Sequence, residues 1–362
     1  MEKNLFYLVS KACALVILYS FTVLPVGAQP PVITSFTPAT GPIGIKVTIT
    51  GSNFSPVAAN NIVYFGAVKA PVSAATATSL TVTVPTGTAY QPITVTTNSL
   101  TGYAAQPFIV TFAGGGGGPF TSNSFGSGYY YQSNVIISDF DGDGKPDMAV
   151  GKDFYTVSIF KNTSANGVIS FAAVVDYSVG LGAFNNYLST LSAGDLDGDG
   201  KPDLAVTNRY TNTVSILKNT SVTGVISFAP KVDFSTGISP SGVSIGDLDG
   251  DGKPDLAVAT DSYPNYSISV LRNTSTSGAI SFAGKVDFVG DGSSGFAIGD
   301  LNGDGKPELV VYDYTMRGIG VFRNTRTSGA VSFAAIVDVL TGVAPSGISI
   351  VIWTKMANLT WL

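Results

Sequence analysis

The chain has 362 residues, of which 44% are hydrophobic and only 12% charged, and it contains 42 glycines. This composition is typical of many short strands and turns rather than long helices, and the length allows two or more domains with buried cores. The sequence has no histidine. That absence excludes Ser-His-Asp and Cys-His catalytic arrangements and histidine zinc sites.

The first 28 residues have the pattern of a secretory signal peptide. Lys3 and Lys11 precede an apolar run over 12–24, and the small residues that follow it end at Ala28. The run is shorter than a membrane span requires. We therefore expect cleavage after Ala28, a secreted or cell-surface location, and no membrane span in the processed chain.

Processing at this point leaves an acidic chain without thiols. Loss of Glu2, Lys3, Lys11 and Cys13 reduces the 19 basic and 24 acidic residues to 17 and 23, a formal charge of −6, and removes the only cysteine. Disulfides and thiolate metal sites are then excluded. Fifteen of the 23 acids lie in four short segments, which favours cation binding over binding to nucleic acid or an anionic membrane.

Residues 30–112 have the pattern of an antiparallel sandwich, because apolar residues alternate within short runs that glycine, proline and asparagine separate. The alternating residues are Val47 and Ile49, Val63 and Phe65, Leu80, Val82 and Val84, Ile93 and Val95, and Phe108 and Val110. About 80 residues with roughly seven strands and no helical period predict an immunoglobulin-like β-sandwich.

Several motifs of this segment resemble, in order, the markers of the IPT/TIG family. They are Pro-Val-Ile-Thr-Ser-Phe-Thr-Pro at 31–38, Gly-Pro at 41–42, Val-Thr-Ile-Thr-Gly-Ser-Asn-Phe at 47–54, Val-Tyr-Phe-Gly at 63–66 and Leu-Thr-Val-Thr-Val-Pro at 80–85. The resemblance implies the same immunoglobulin-like fold. Such domains serve as spacers or as binding and dimerisation modules; without a cluster of polar or aromatic residues that demands a ligand, we expect a spacer.

Residues 113–133 form a linker rich in glycine and serine. An unbroken glycine run occupies 114–118, and a stretch of this kind predicts a flexible tether. A phosphate-binding loop is the alternative, but the Lys-Ser/Thr ending is absent and no helix is predicted to follow.

A nine-residue acidic motif recurs four times after the linker. It reads Asp-Leu-Asp-Gly-Asp-Gly-Lys-Pro-Asp from Asp195, and near-identical copies begin at Asp139, Asp247 and Asp300, spaced 56, 52 and 53 residues apart. Oxygen ligands at positions 1, 3, 5, 7 and 9, with glycine at position 6, suit Ca²⁺. Because the carboxylates repel one another, we expect each loop to close around a cation. A solvated acidic turn is the alternative, and four copies in phase favour the metal.

The whole sequence from 134 to 350 repeats with the same period as the motif, and the repeat is not confined to the acidic segment. Each copy is followed by a short apolar strand, then by a strand that ends in Lys-Asn or Arg-Asn, then by a strand carrying Ser-Phe-Ala and Val-Asp, and a fourth strand leads into the next copy. Four strands in a period of about 53 residues are the size of one blade of a β-propeller. The predicted fold class is therefore all-β, a sandwich followed by propeller blades.

The unit resembles the FG-GAP and VCBS repeats, which are related to the propeller blades of integrin α-subunits. The resemblance implies about four Ca²⁺ ions, one in a β-hairpin loop of each blade, with each lysine contributing its backbone carbonyl. The implied ligands are Asp139, Asp141, Asp143, Lys145 and Asp147; Asp195, Asp197, Asp199, Lys201 and Asp203; Asp247, Asp249, Asp251, Lys253 and Asp255; and Asp300, Asn302, Asp304, Lys306 and Glu308. The fourth copy has a neutral amide and a longer carboxylate, so we expect the weakest site there.

Three Asn-Thr-Ser sequons occupy the same place in successive repeats, at Asn162, Asn219 and Asn273. They match the glycosylation signal, but their periodic position favours a role in a turn.

A fifth repeat begins on schedule at 341–350 and then departs from the pattern over 351–362. Restoring one lost G after Ile350 makes eleven of the next twelve residues agree with the repeat. We therefore interpret the tail as the product of a frameshift and the chain as a fragment. Four blades and part of a fifth predict an incomplete ring, since propellers of this kind usually close with about seven.

These features predict an exported, non-catalytic, calcium-binding protein that mediates adhesion or binds a polysaccharide or protein through propeller loops. Two alternatives stay open at this point. The first alternative is an accessory or truncated part of an extracellular polysaccharide-degrading enzyme. The second is a purely structural stalk.

Overall fold

The computed structural model describes residues 29–66, 68–88, 92–111, 132–152, 156–165, 168–180, 190–262, 266–290, 292–313, 318–327, 329–340 and 348. The predicted signal peptide, the linker except its last two residues, the fifth repeat except Ile348, and the tail over 351–362 lie outside the described residues. Among the helices of the described part, none has the length and apolar character needed to cross a membrane.

The first domain is a β-sandwich with one short 3-10 helix at Ala58–Asn60. Its strands are β1 (Val32–Thr37), β2 (Thr40–Gly41), β3 (Lys46–Ser52), β4 (Asn61–Phe65), β5 (Val68–Ala70), β6 (Val72–Ala75), β7 (Ser79–Thr83), β8 (Pro92–Thr97), β9 (Leu100–Pro107) and β10 (Ile109–Val110). One sheet has the order β1-β3-β7-β6 and the other β5-β4-β8-β9, while β10 pairs with β2 in parallel.

The core of the sandwich contains the residues that alternate in the sequence. Val47, Ile49, Val63, Phe65 and Ile93 are each 0% exposed, so the predicted strand faces are confirmed. The structure has more strands than the roughly seven expected. The additional ones are short: β2 and β10 have two residues each, which is too few to show alternation.

Each repeat forms an antiparallel sheet of four strands, which we call a blade. The strands are β11 (Gln132–Ser138), β12 (Asp147–Lys152), β13 (Thr156–Phe160) and β14 (Val175–Ser178) in blade one; β15 (Leu191–Gly194), β16 (Asp203–Asn208), β17 (Thr213–Leu217) and β18 (Val232–Ser235) in blade two; β19 (Pro240–Gly246), β20 (Asp255–Thr260), β21 (Ser267–Leu271) and β22 (Val286–Val289) in blade three; and β23 (Gly292–Gly299), β24 (Glu308–Asp313), β25 (Gly318–Phe322) and β26 (Val337–Leu340) in blade four. In every blade the strands follow one another in chain order.

Two details differ from the sequence-based prediction. The first blade begins at Gln132, two residues before the predicted boundary at 134. The Ser-Phe-Ala segment does not continue the outermost strand. Its phenylalanine forms an isolated bridge to the asparagine that follows the third strand, as in Asn219 with Phe228, and the outermost strand begins later, at Val232 in blade two.

Hydrophobic clusters join neighbouring blades. Leu191, Leu204 and Val206 of blade two pack with Val157 and Ile159 of blade one, and equivalent clusters join blades two and three and blades three and four. Burial of such side chains contributes about 1.5–3 kcal/mol each to stability. The described residues thus form an open series of four blades, in agreement with the predicted incomplete ring.

The outer faces of the two end blades, blade one and blade four, are covered to different extents. On blade one, Val135 and Ile137 are 51% and 58% exposed. On blade four, Ile348 packs against the cluster that includes Val310 and Val321. Ile348 is the one described residue of the fifth repeat, so this contact agrees with a further repeat beside blade four.

Candidate metal centres

Each acidic motif forms the hairpin loop between the first two strands of its blade. We call these loops one (139–147), two (195–203), three (247–255) and four (300–308). In loop two, Gly198 and Gly200 have φ of +73° and +87°. Few residues other than glycine adopt this conformation readily, and it turns the chain so that successive acidic side chains face the inside of the loop.

Carboxylates converge in three of the four loops. Within each group below, one oxygen per residue lies within 4.8 Å of the corresponding oxygens of the other two. The groups are Asp139, Asp141 and Asp147; Asp195, Asp197 and Asp199; and Asp247, Asp249 and Asp251. All are residues that the sequence motif selects as ligands.

Backbone amides hold the acidic side chains in place, as loop two illustrates. Asp199 N donates to Asp197 Oδ1 at 3.1 Å, Gly200 N donates to Asp195 Oδ2 at 3.0 Å, and Lys201 N donates to Asp199 Oδ1 at 3.0 Å. Each of these carboxylates therefore has one oxygen fixed by the backbone. The second oxygen of Asp195 remains for another partner, whereas that of Asp197 lies 2.5 Å from Lys218 Nζ.

Three of the remaining oxygens are buried without a hydrogen-bond partner. They are Asp139 Oδ1, Asp195 Oδ1 and Asp249 Oδ2, and their residues are 3%, 1% and 0% exposed. An unpaired buried carboxylate oxygen is costly. A cation with several oxygen ligands would satisfy it, so the residues present fit Ca²⁺.

The electrostatics of the loops agree with this fit. Burial raises the pKa of Asp139 and Asp195 to about 6, and repulsion from neighbouring carboxylates adds to the shift. Burial also raises the pKa of Asp147 and Asp247 to about 7 and that of Asp203 to about 8. Charged carboxylates are therefore unfavourable here until positive charge compensates them.

The position 9 carboxylates have a second role that the motif does not reveal. Asp203 Oδ2 accepts from Leu196 N at 2.9 Å, and Asp203 Oδ1 accepts from Asn219 N at 2.8 Å. Asp147 and Asp255 make the same two contacts in their blades. These residues tie the loop to the end of the third strand, and their predicted ligation would use the remaining lone pairs.

Loop four differs from the others. Asn302 Nδ2 donates to Glu308 Oε1 at 3.0 Å, and Asp304 N donates to Asn302 Oδ1 at 2.9 Å. The three-acid groups found among the described residues do not include this loop. Its expected weakness as a metal site stays a prediction.

A basic side chain just after the third strand reaches the acids of loops one and two, and in loop three Arg272 Nη1 lies 3.9 Å from Asp249 Oδ2. Lys161 Nζ forms an ion pair with Asp141 and lies 3.1 Å from Asp143 Oδ2, and Lys218 Nζ lies 2.5 Å from Asp197 Oδ2. Sequence reasoning missed this contact. The available signal was the basic residue that precedes the asparagine in every repeat.

The sequon asparagines are parts of turns. Asn219 and Asn273 are 0% exposed, and their Oδ1 atoms accept from Ser221 N and Ser275 N at 2.8 Å. The predicted turn role is therefore confirmed for these two residues. A buried amide that donates and accepts hydrogen bonds is a poor acceptor of a glycan in the folded state.

Comparison with protein-family models agrees with the two domain types. Residues 31–112 match the IPT/TIG domain, and 139–206, 195–258 and 249–311 match the FG-GAP-like repeat. The chain therefore contains an IPT/TIG domain followed by FG-GAP-like repeats. This domain content indicates an extracellular or binding role.

Several solved structures are similar to the chain at low identity, whereas no curated protein matches it. An auxiliary nutrient binding protein of Bacteroides thetaiotaomicron is 15% identical, with 84% of this chain and 85% of that chain covered and a TM-score of 0.27. A candidate phosphatase of the same organism is 14% identical over 86% and 87%, with a TM-score of 0.30. A candidate 6-phosphogluconolactonase of Bacteroides fragilis is 14% identical over 83% and 84%, with a TM-score of 0.40.

Proposed function

We propose that this chain is an exported, non-catalytic calcium-binding protein of the cell surface or the secreted fraction. Its role is adhesion, or capture of a polysaccharide or protein. The IPT/TIG domain and the FG-GAP-like repeats support a binding role. Most of the acids of the chain stand in the four loops, where backbone amides hold them, rather than in a catalytic pair.

The observation that carries the proposal is the set of buried carboxylate oxygens in loops one, two and three that have no hydrogen-bond partner. In loop two the ligands would be Asp195, Asp197, Asp199 and Asp203, with the backbone carbonyl of Lys201. A bound Ca²⁺ would supply two positive charges to four carboxylates that otherwise have one ammonium, that of Lys218, beside them. The loops would then stabilise the blades in a chain that has no disulfides, because only the folded loop brings the ligands together.

Calorimetric titration of the metal-free chain with Ca²⁺ tests the metal sites. We expect about four ions with dissociation constants on the order of 10⁻⁴ to 10⁻³ M, as in extracellular modules, and a higher unfolding temperature in Ca²⁺. Asp195→Ala should remove one site. Asp233→Asn, which alters an acid outside the loops that pairs with Lys231, is the matched control and should keep all of them. A chain that binds no Ca²⁺ would refute the proposal.

The binding role needs its own experiment. We expect the Ca²⁺-loaded chain to bind at least one polysaccharide or surface protein in an array that offers both, and to lose that binding in EDTA. Failure to bind any of them in Ca²⁺ would contradict adhesion and capture while leaving the metal sites intact. The role of the blades would then be structural.

A further inference from the structure

The sandwich packs directly on the metal loops. Its sheet β5-β4-β8-β9 contributes two hydrogen bonds to backbone carbonyls of loops three and four. Tyr64 Oη donates to Gly252 O at 2.9 Å, and Thr101 N donates to Gly305 O at 2.8 Å. Gly252 and Gly305 both occupy position 6 of their loops, beside the position 5 carboxylates that the motif assigns to the metal.

Position 6 is crowded in these two loops only. A Cβ atom at Gly252 would lie 1.9 Å from Ile62 Cδ1, and one at Gly305 would lie 2.8 Å from Pro30 Cβ. At the equivalent Gly200 of loop two, a Cβ atom would meet nothing within 4 Å. The same glycine that allows the sharp turn therefore also gives the sandwich its close approach to loops three and four.

Loop two touches the sandwich differently. A Cβ atom at Gly87 of the sandwich would lie 2.9 Å from Pro202 Cδ, so the contact is apolar and involves position 8 of the loop. Loops two and three have the same nine-residue sequence. Any difference between them in metal binding must come from their surroundings, and Tyr64 is a prominent one.

The hydrogen bond of Tyr64 depends on the conformation of loop three. Burial and the nearby Asp195 and Asp247 raise the pKa of Tyr64, which keeps its hydroxyl protonated and able to donate. Its acceptor, Gly252 O, lies between the position 5 carboxylate of Asp251 and the position 7 residue Lys253. A loop that opens by repulsion among its acids would move this carbonyl away from the sandwich.

We propose that cation binding in loops three and four is coupled to docking of the sandwich, so that the sandwich is a cation-dependent cap on the propeller loops. The inference rests on the proposed calcium binding. A bound cation holds the position 6 carbonyls where Tyr64 and Thr101 reach them. Coupling between two binding events is reciprocal, so docking also strengthens cation binding in these loops.

Small-angle X-ray scattering of the full chain, purified after processing by its host, measures docking directly. We expect a compact particle in Ca²⁺ and a larger maximum dimension in the metal-free state. Asp251→Asn in loop three should give the larger dimension even in Ca²⁺. Asp199→Asn, the same change at the same position of the identical loop two, is the matched control and should leave the particle compact.

A second pair of variants avoids changes to the metal ligands. Tyr64→Phe removes one hydroxyl, and we expect the Ca²⁺ concentration needed for compaction to rise about fivefold, the effect of one lost hydrogen bond. Tyr210→Phe makes the same chemical change beyond the end of β16, remote from the loops in its blade, and should leave that concentration unchanged.

Calorimetry on the same samples separates the two ways in which the idea can fail. If Ca²⁺ binds but the maximum dimension is the same with and without it, docking is independent of the cation and the coupling is refuted, whereas the calcium proposal survives. If no Ca²⁺ binds, both the calcium proposal and the coupling are refuted. Equal midpoints for Tyr64→Phe and the unmodified chain would also overturn the coupling.

Discussion

Asn273 Nδ2 donates to Leu196 O of the preceding blade at 2.9 Å. The same nitrogen donates to Pro254 O of its own blade at 2.7 Å. Asn219 and Asn324 repeat both contacts toward their own preceding blades. One buried amide in each of blades two, three and four therefore joins the acidic loop of its own blade to that of the preceding blade.

This link predicts a large effect from a small substitution. Asn273→Ala removes both donated bonds and the acceptor of Ser275 N, and leaves buried carbonyls unpaired. We expect a loss of about 3 kcal/mol in the free energy of unfolding, measured by urea denaturation in Ca²⁺. Thr274→Ala is the adjacent control: it removes an exposed bond to Ser281 and should cost under about 0.5 kcal/mol. Equal losses would contradict the link.

The stability of the metal-free chain should fall as the pH rises from about 4 to 8. Carboxyl groups of the unfolded chain titrate near pH 4, whereas burial raises the pKa of Asp195 to about 6, of Asp147 to about 7 and of Asp203 to about 8. In this window the folded chain binds more protons than the unfolded chain, so deprotonation favours unfolding.

Thermal unfolding at pH 5 and pH 8 tests this dependence. We expect the lower midpoint at pH 8 without metal. Saturating Ca²⁺ should remove or reverse the difference, since a cation stabilises the charged carboxylates. A metal-free midpoint that rises between pH 5 and pH 8 would contradict the burial of these acids.

Repeat length and motif were sufficient to predict most of the architecture. Four strands per period and the acidic hairpin follow from local patterns, because strand alternation and glycine at loop turns act over a few residues. The contact of Asn273 with Leu196 and that of Tyr64 with Gly252 could not be predicted. Their acceptors are backbone carbonyls far away in the sequence, and a carbonyl carries no residue-specific signal.

Loop four should gain affinity when its sequence is made to resemble the others. Asn302→Asp adds a carboxylate at position 3 and removes the amide that donates to Glu308. We expect the dissociation constant of the weakest calcium site, measured by calorimetry, to decrease about tenfold, because affinity follows the charge of the ligand set. Asn302→Ala is the control and should weaken the same site. An unchanged constant in both variants would show that loop four is not a metal site.

Lys218 should compete with calcium in loop two. Its ammonium lies 2.5 Å from Asp197 Oδ2, one of the predicted ligands. Lys218→Met removes this charge, and we expect about threefold tighter binding at that site, the size of a partly exposed ion pair. Lys46→Met, in strand β3 of the sandwich, should change nothing. Weaker calcium binding in the Lys218 variant would mean that the lysine orders the loop rather than competing with Ca²⁺ for the Asp197 carboxylate.

At Arg326, we expect the residue typical of the other repeats to destabilise the fold. The equivalent positions in the first three blades are Ser164, Ser221 and Ser275, yet Arg326 is only 3% exposed and its Nη2 donates to Gly305 O at 3.2 Å. Arg326 Nη1 and Ser99 O both lie close to Gly250, where a Cβ atom would be 1.5 Å and 2.7 Å from them.

Arg326→Ser restores the pattern of the repeats but empties the space between loop three, loop four and the turn after β8. We expect the free energy of unfolding to fall by about 1–3 kcal/mol, from lost packing and one lost hydrogen bond. Arg323→Ser changes an exposed arginine three residues earlier and should stay within about 0.5 kcal/mol. If Arg326→Ser were neutral or stabilising, the arginine would not support the junction, and the contact of the sandwich with blade four would depend on Thr101 and its neighbours alone.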